Sequence, residues 1–250
     1  MGETVTARVL RVLAAFSADR PELALTELSR RAELPLTTTH RLVRELTQWG
    51  ALERAEDGRY RVGLRLWEVG ALAPRGLGLR ESAMPFLEDL YEVTKQNVQL
   101  AVLDGAEVVY LERLSGRGAV KIITRIGGRL PLHATGVGLV LLAHADAELQ
   151  EQVLAAPLKR YTAKTICGPD VLRRALADVR RTGVAISDGQ IELITLSVAA
   201  PVRGRRGEVV AALSVVVPAE TSDARAYVPV VRAAARGISR ALGAPDPVSR

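Results

Sequence analysis

One cysteine in 250 residues, Cys167, leaves the chain unable to form an internal disulfide. Its three histidines, His40, His133 and His144, stand outside any HExxH pairing, and no Gly-x-Ser-x-Gly elbow is present, so the usual zinc-hydrolase and serine-hydrolase signatures are missing. His, Cys and carboxylates do not gather at metal-ligand spacing, and Gly136-Val137-Gly138 lacks the third glycine and preceding strand of a dinucleotide site. No cofactor, metal or catalytic residue is therefore expected. No apolar run approaches the roughly 20 residues that span a bilayer, and Met1-Gly2-Glu3-Thr4 lacks the basic and then apolar regions of a secretion signal. These absences point to a soluble cytoplasmic protein with no membrane partner.

What is present is 48% apolar and 25% charged, which excludes a disordered chain and is enough for two domains. The net charge of +6 suits a polyanionic partner. It is not concentrated at the front of the chain: residues 1–75 hold 12 arginines, no lysine and 10 acidic residues, about two of the six excess charges. The placement of particular arginines must carry any nucleic-acid reading.

That placement lies between Thr26 and Gly63. A first helix over residues 4–18 puts Val5, Val9, Val12, Leu13 and Phe16 on one face. A second begins with Thr26 as its cap, turns Leu28 and Ala32 inward and stops at Pro35. A third starts at Thr37-Thr38-Thr39; Leu42, Leu46 and Trp49 define its buried face and leave Thr38, Thr39, Arg41 and Arg44 outward. This is a helix-turn-helix. The Asp57-Gly58 turn between short alternating segments 51–54 and 59–63 adds a hairpin, the wing. Duplex operator DNA is the expected partner: Thr37, Thr38 and Thr39 hold a phosphate at a helix N-terminus, Arg41 and Arg44 reach guanine or phosphate, and Arg59 and Arg61 meet the adjacent backbone or minor groove.

Residues 64–72 read as a connecting helix and 74–78 as a joint. Beyond it, helices at 81–95, 136–145, 170–182 and 225–242 alternate with hairpins at 98–103/108–113 and 196–202/209–217, plus a strand at 121–125. Hairpins with helices packed on them make an α+β sensor-like domain. The division predicted is 1–64 for DNA binding, 65–77 as linker helix and 78–250 for effector binding and assembly. Within the last, Thr135-Gly136-Val137-Gly138 opens an apolar helix and leaves unpaired amides that an anion can approach at Gly136 and Val137. The apolar neighbours Leu132, Val137, Leu139 and Leu193 favour an aromatic or partly apolar acid.

Several stretches stand in order along most of the chain: the wing ending Gly58-Arg59-Tyr60-Arg61-Val62-Gly63, then Leu130-Pro131-Leu132-His133-Ala134-Thr135-Gly136-Val137-Gly138, then Gly183-Val184-Ala185 leading to Ala199-Ala200-Pro201-Val202 and Ala211-Ala212-Leu213-Ser214-Val215. Together they resemble the isocitrate lyase regulator (IclR) family of bacterial transcription factors. The resemblance implies a GAF-like antiparallel-sheet effector domain, homodimers that pair into dimers of dimers, and a regulator, expected to repress, controlled by a small carboxylic or aromatic acid. It also implies effector contacts at Ser187, Thr195, Ser197 and Ser214. The chain departs from the family where Leu139 replaces a usual lysine, Gly189-Gln190 an acidic pair, Ile194 a nearby glycine and Ser197 a common cysteine. Two competing expectations are a hydrolase using Cys167 with His133 or His144, and a regulator whose second domain serves assembly alone.

Overall fold

The computed structural model describes residues 3–17, 19–73 and 77–245. The chain divides into two compact units, Met1–Leu77 and Gly78–Arg250.

The first unit contains α1 (Val5–Ala14), β1 (Glu22–Leu23), α2 (Leu25–Arg31), α3 (Leu36–Trp49), β2 (Leu52–Arg54), β3 (Tyr60–Val62) and α4 (Leu64–Ala71). Val12, Leu28, Leu42 and Val43 are wholly buried together with Leu23 and Leu52, and each such side chain contributes about 1.5–3 kcal/mol. The turn between α2 and α3 is closed by the Ser29 hydroxyl, which donates to the Leu34 carbonyl at 2.7 Å. Gly50 ends α3 in the left-handed region, at φ 86°, and sends the chain back into β2. The hairpin pairs Leu52 with Val62 and Arg54 with Tyr60. β1 adds a third strand on the other side of β3, giving the order β1-β3-β2, which periodicity over two residues could not announce.

Four expectations here are corrected. Thr26 does not cap α2; the cap is Ala24, whose N–H is taken by the Glu27 carboxylate at 2.9 Å, so a glutamate three residues on supplies the partner that Ala24 lacks. Thr39 does not face outward: it is wholly buried and its hydroxyl donates back to the Pro35 carbonyl at 3.1 Å, because α3 starts at Leu36 and Thr39 falls on the Val43 side. Trp49 is 52% exposed instead of buried, with the Arg65 guanidinium 5.5 Å from its ring. Val5 also stays exposed, while the rest of the α1 stripe packs inward.

The second unit is built on a six-stranded antiparallel sheet, ordered β6-β5-β4-β9-β8-β7, from β4 (Asn97–Asp104), β5 (Glu107–Leu114), β6 (Arg129–Pro131), β7 (Ala185–Asp188), β8 (Thr195–Arg203) and β9 (Val209–Pro218). Alternation divides the strand residues between two cores. Leu100, Val198, Val202, Leu213, Val215 and Val217 face α5 (Leu77–Thr94) and α9 (Ala224–Ala241). Ala101, Ala199 and Ala212 face α6 (Gly136–Ala143) and α8 (Pro169–Thr182), where small strand residues let the helices sit close. Every residue of α6 is buried, as an all-apolar helix requires. α7 (Ala147–Ala155) packs beside α8 and was not anticipated.

The strand expected at 121–125 is a loop. Its β-branched residues suit a strand, but side chains claim main-chain carbonyls in and beside it: Arg113 Nη1 donates to Thr124 at 2.7 Å and Asn97 Nδ2 to the preceding Val120 at 2.8 Å. The edge position goes instead to β6, which pairs with β5. Of the joint at 74–78, residues 74–76 lie outside the described part, and Leu77 and Gly78 belong to α5.

Candidate functional site

The outward side of α3 follows from its buried one. With Leu42 and Val43 wholly buried and Leu46 half-buried, the opposite line is Thr37, Arg41, Arg44 and Gln48, at i, i+4, i+7 and i+11, all exposed. Gln48 belongs to this line and escaped the sequence reading, though the spacing that found Arg41 and Arg44 would have reached it. Arg41 Nη1 meets Glu45 at 3.4 Å, an exposed pair that water and salt weaken, whereas Arg44 has no carboxylate partner among the described residues. Pro35, the cap of α3, offers no side-chain acceptor, so the first amides of the helix keep their donors free for an anion. Thr37 and the half-buried Thr38 stand at that end.

In the wing, Arg59 lies 3.5 Å from Asp57, and Arg61 lies 3.0 Å from Glu53 and 3.9 Å from Glu22. Glu53 is held below the usual carboxylate range by the Leu64 amide and by Arg61. Arg61 is thus braced by carboxylates of both neighbouring strands and Arg59 by one within the turn, yet both remain about half exposed.

In the second unit a cavity opens at the N-terminus of α6. Ser187 of β7 and Ser197 of β8 are register partners, so their hydroxyls stand side by side in its wall, with Thr195 one alternation away. Gly136 approaches this wall closely: a Cβ there would sit 2.7 Å from Ser197 Oγ. Thr135 caps α6, its hydroxyl accepting from the Gly138 amide at 3.1 Å, which leaves the amides of Gly136 and Val137 without a helical acceptor. Val137, Leu130, Ile122, Ile123, Ile191 and Val216 supply apolar walls.

Of the residues expected to meet an effector, Gly136, Val137, Ser187, Thr195 and Ser197 line this cavity. Ser214 does not; it is wholly buried behind it, with its hydroxyl donating to Gln99 Oε1 at 3.4 Å. Leu132 and Leu139 belong to the core under α6, and Leu193 is exposed, so only Val137 of the four apolar neighbours faces the cavity. Gln99, Tyr110, Thr124 and Glu192 were missed. A glutamine inside the apolar run Val98 to Val102 was the available signal. Gln99 Nε2 donates to the Thr124 hydroxyl, pinning the 121–125 loop over the cavity, and Glu192 accepts from the Ile123 amide at 3.2 Å. Burial pushes the Tyr110 phenol well above its ordinary value, a hydrogen bond with Thr135 opposing this, so it remains a neutral hydroxyl.

His133 Nε2 lies 3.0 Å from the Lys159 carbonyl and His144 Nδ1 2.9 Å from the Val140 carbonyl, so main-chain oxygens occupy one nitrogen of each imidazole. Among the described residues no three of His, Cys, Asp and Glu could hold a metal ion, and no helix is long and apolar enough to cross a membrane.

A winged helix with an arginine-bearing third helix, followed by a sheet unit with its own cavity, defines a two-domain DNA-binding transcriptional regulator. The helix-turn-helix model of the IclR family matches residues 5–56, and the model of the C-terminal part of IclR bacterial transcriptional regulators matches residues 73–240. The chain belongs to the IclR family. It is 34% identical over 246 residues to the HTH-type transcriptional regulator XynR of Escherichia coli, covering 95% of this chain and 96% of that one. With the transcriptional repressor IclR of the same organism it shares 31% over 212 residues, 83% of this chain and 77% of that one. Among solved structures, an IclR homologue from Microbacterium hydrocarbonoxydans complexed with 4-hydroxybenzoate superposes with a TM-score of 0.91 at 43% identity, covering 96% of this chain and 99% of that one.

Proposed function

We propose that this regulator represses transcription by placing α3 in the major groove of its operator, and that an aromatic monocarboxylic acid bound in the α6 cavity controls it. In this reading Arg41, Arg44 and Gln48 meet base edges, Thr37, Thr38 and the wing residues Arg59 and Arg61 meet phosphates, and Thr39 supports the helix from inside. The acid carboxylate is received by the Gly136 and Val137 amides with the Ser187 and Ser197 hydroxyls. Tyr110 stands beside Thr135 at the same end, Thr195, whose hydroxyl donates to the Glu192 carbonyl at 2.8 Å, lines the wall, and Gln99 meets the far end of the ring. The observation that carries the reading is a cavity combining unpaired helix-N-terminal amides with six apolar wall residues and no cationic side chain. The similar protein complexed with 4-hydroxybenzoate supports the choice of acid.

One recognition helix supplies limited discrimination, about 1–3 kcal/mol per good bidentate contact, so two copies reading two half-sites are part of the proposal. Exposed Leu10, Leu64, Trp67 and Leu72 on α1, α4 and the end of α4 supply apolar surface for pairing. We assign residues 1–64 to DNA binding, 65–77 to linking and 78–250 to sensing and assembly, in a cytoplasmic, non-enzymatic protein. The test is DNA mobility with the protein's own upstream region across a panel of aromatic and short aliphatic acids. Release by 4-hydroxybenzoate or a close analogue supports the proposal; calorimetric binding of short oxoacids alone refutes it.

A further inference from the structure

The α9 side of the sheet holds a second recess, where the end of β8 meets the C-terminal half of α9. Four arginines line it, Arg203 from β8 and Arg232, Arg236 and Arg240 from α9, and among the described residues no aspartate or glutamate does. The three on α9 stand at i, i+4 and i+8, a single stripe along one face. Two of the four are positioned by neutral groups: Arg203 Nη1 donates to the Gly207 carbonyl at 2.7 Å, and Arg232 Nη2 donates to the Thr182 carbonyl. Arg236 and Arg240 are exposed, and neither pairs with a carboxylate among the described residues. Two arginines elsewhere on this unit are neutralised instead, Arg129 by Asp104 and Glu107 and Arg173 by Glu151 and Asp170.

Four guanidiniums with no carboxylate partner among the described residues repel one another, and the repulsion is relieved when an anion enters. Stabilisation of a helix C-terminus accounts for Arg240, which lies in the last turn of α9, but not for Arg232 or Arg236, since that effect fades within a turn. Burial keeps the nearby His144 imidazole below its ordinary value, and the charges of Arg203 and Arg180 push in the same direction, so the positive field extends past the recess. The floor, formed by Ala200, Pro201, Ala235 and Ala244, is apolar and concave.

We infer that this recess is a second ligand site, separate from the α6 cavity, for a small organic polyanion bearing phosphate or several carboxylates on a compact apolar body. A duplex backbone is the less suited occupant, because a convex helix of phosphates would not reach the concave apolar floor.

Calorimetry with sodium tripolyphosphate and with citrate, at matched ionic strength, tests the inference on the full chain, alongside the exposed double variant Arg236→Gln/Arg240→Gln. Saturable millimolar or tighter binding to one site per chain is expected, weakened about tenfold or more in the double variant, which loses two charge-assisted hydrogen bonds. The anion-free thermal midpoint of the variant should match the parent. A stronger response to tripolyphosphate assigns phosphate chemistry to the ligand, and a stronger response to citrate assigns polycarboxylate chemistry. Absence of saturable binding, or equal binding by parent and variant, overturns the site. So does a loss of affinity for a short non-operator duplex that equals the loss for the small anions, because the arginines would then serve DNA.

Discussion

Substituting Gly136 by alanine places a methyl group 2.7 Å from Ser197 Oγ, 3.3 Å from Ser197 Cβ and 3.4 Å from Ala199 Cβ. Overpacking of this kind costs about 1–3 kcal/mol. Alanine is at the same time the better helix former by about 0.5–1 kcal/mol, and the backbone there has no positive φ to forbid it. The net expectation is a loss of about 0.5–2 kcal/mol, a fall of several degrees in thermal midpoint at about 2–4 °C per kcal/mol. Removing the hydroxyl as well, in Gly136→Ala/Ser197→Ala, takes away the worst approach and leaves two tight but tolerable ones. The double variant should regain the parent's stability, giving a coupling of about 1–2 kcal/mol where independent sites add to within about 0.3–0.5. Calorimetry with 4-hydroxybenzoate separates folding from recognition: the single and the double variant, each with alanine in place of Gly136, should bind weakly even when stable, because the added methyl covers the approach to the amides at positions 136 and 137. Additive stabilities would refute the packing argument. Full affinity in the double variant would refute the amide site.

Arg44→Ala should weaken operator binding more than Arg41→Ala, by about 1–3 kcal/mol if Arg44 reads a base, because Arg41 divides its charge with Glu45; fluorescence anisotropy at two salt concentrations measures both. Thr39→Val should lower thermal stability by about 0.5–1.5 kcal/mol through loss of the bond to Pro35, while Thr37→Val should leave stability unchanged and reduce DNA affinity. For His144, burial lowers the folded-state value below the ordinary 6.5, so the unfolded chain takes up the proton more readily; the imidazole's contribution is complete above pH 6.5 and is lost as pH falls through and below it. The gap in thermal midpoint between the parent and His144→Gln should accordingly narrow between about pH 7.5 and about pH 5.5. Trp67→Glu, on the exposed face of α4, should shift the sedimenting species towards monomer if that face pairs chains.

Periodicity carried most of the architecture, since the stripes of α1, α3, α8 and α9 and the two long hairpins lie within a few residues of where apolar spacing puts them. It failed where a side chain outside the segment decides the matter. Thr26 has a good capping side chain, but Glu27 reaching back to Ala24 starts α2 two residues earlier. Lys121 to Arg125 has strand composition, but Asn97 and Arg113, distant in sequence, bond to the main chain there and at the neighbouring Val120. Trp49 completes a helical stripe, yet it falls beside Arg65, and a surface cation–π contact replaces burial. The cavity shows the same division. Gly136, Val137 and the hydroxyl residues of β7 and β8 were readable because they sit in short motifs, whereas Gln99, Tyr110 and Glu192 come from three separated segments and meet only when β4 pairs with β5 and with β9.

The composition of that cavity also narrows the acid. Its wall holds one carboxyl group, Glu192, and no lysine, arginine or histidine, so any negative charge entering it relies on amide and hydroxyl dipoles. Dipoles of this kind can receive one carboxylate at the α6 N-terminus. A second carboxylate at the opposite end would meet Glu192 or the apolar residues Ile122 and Ile123, and its desolvation would go uncompensated. A neutral hydroxyl at that end meets Gln99 and Thr124, each with hydrogen-bonding capacity. Hydroxylated aromatic monoacids should therefore bind more tightly than the corresponding dicarboxylic acids, and a competition series between 4-hydroxybenzoate and terephthalate reads the difference directly. Equal affinity for the two would mean that a cation reaches the cavity from outside its wall, and the dipole-only account would have to be abandoned.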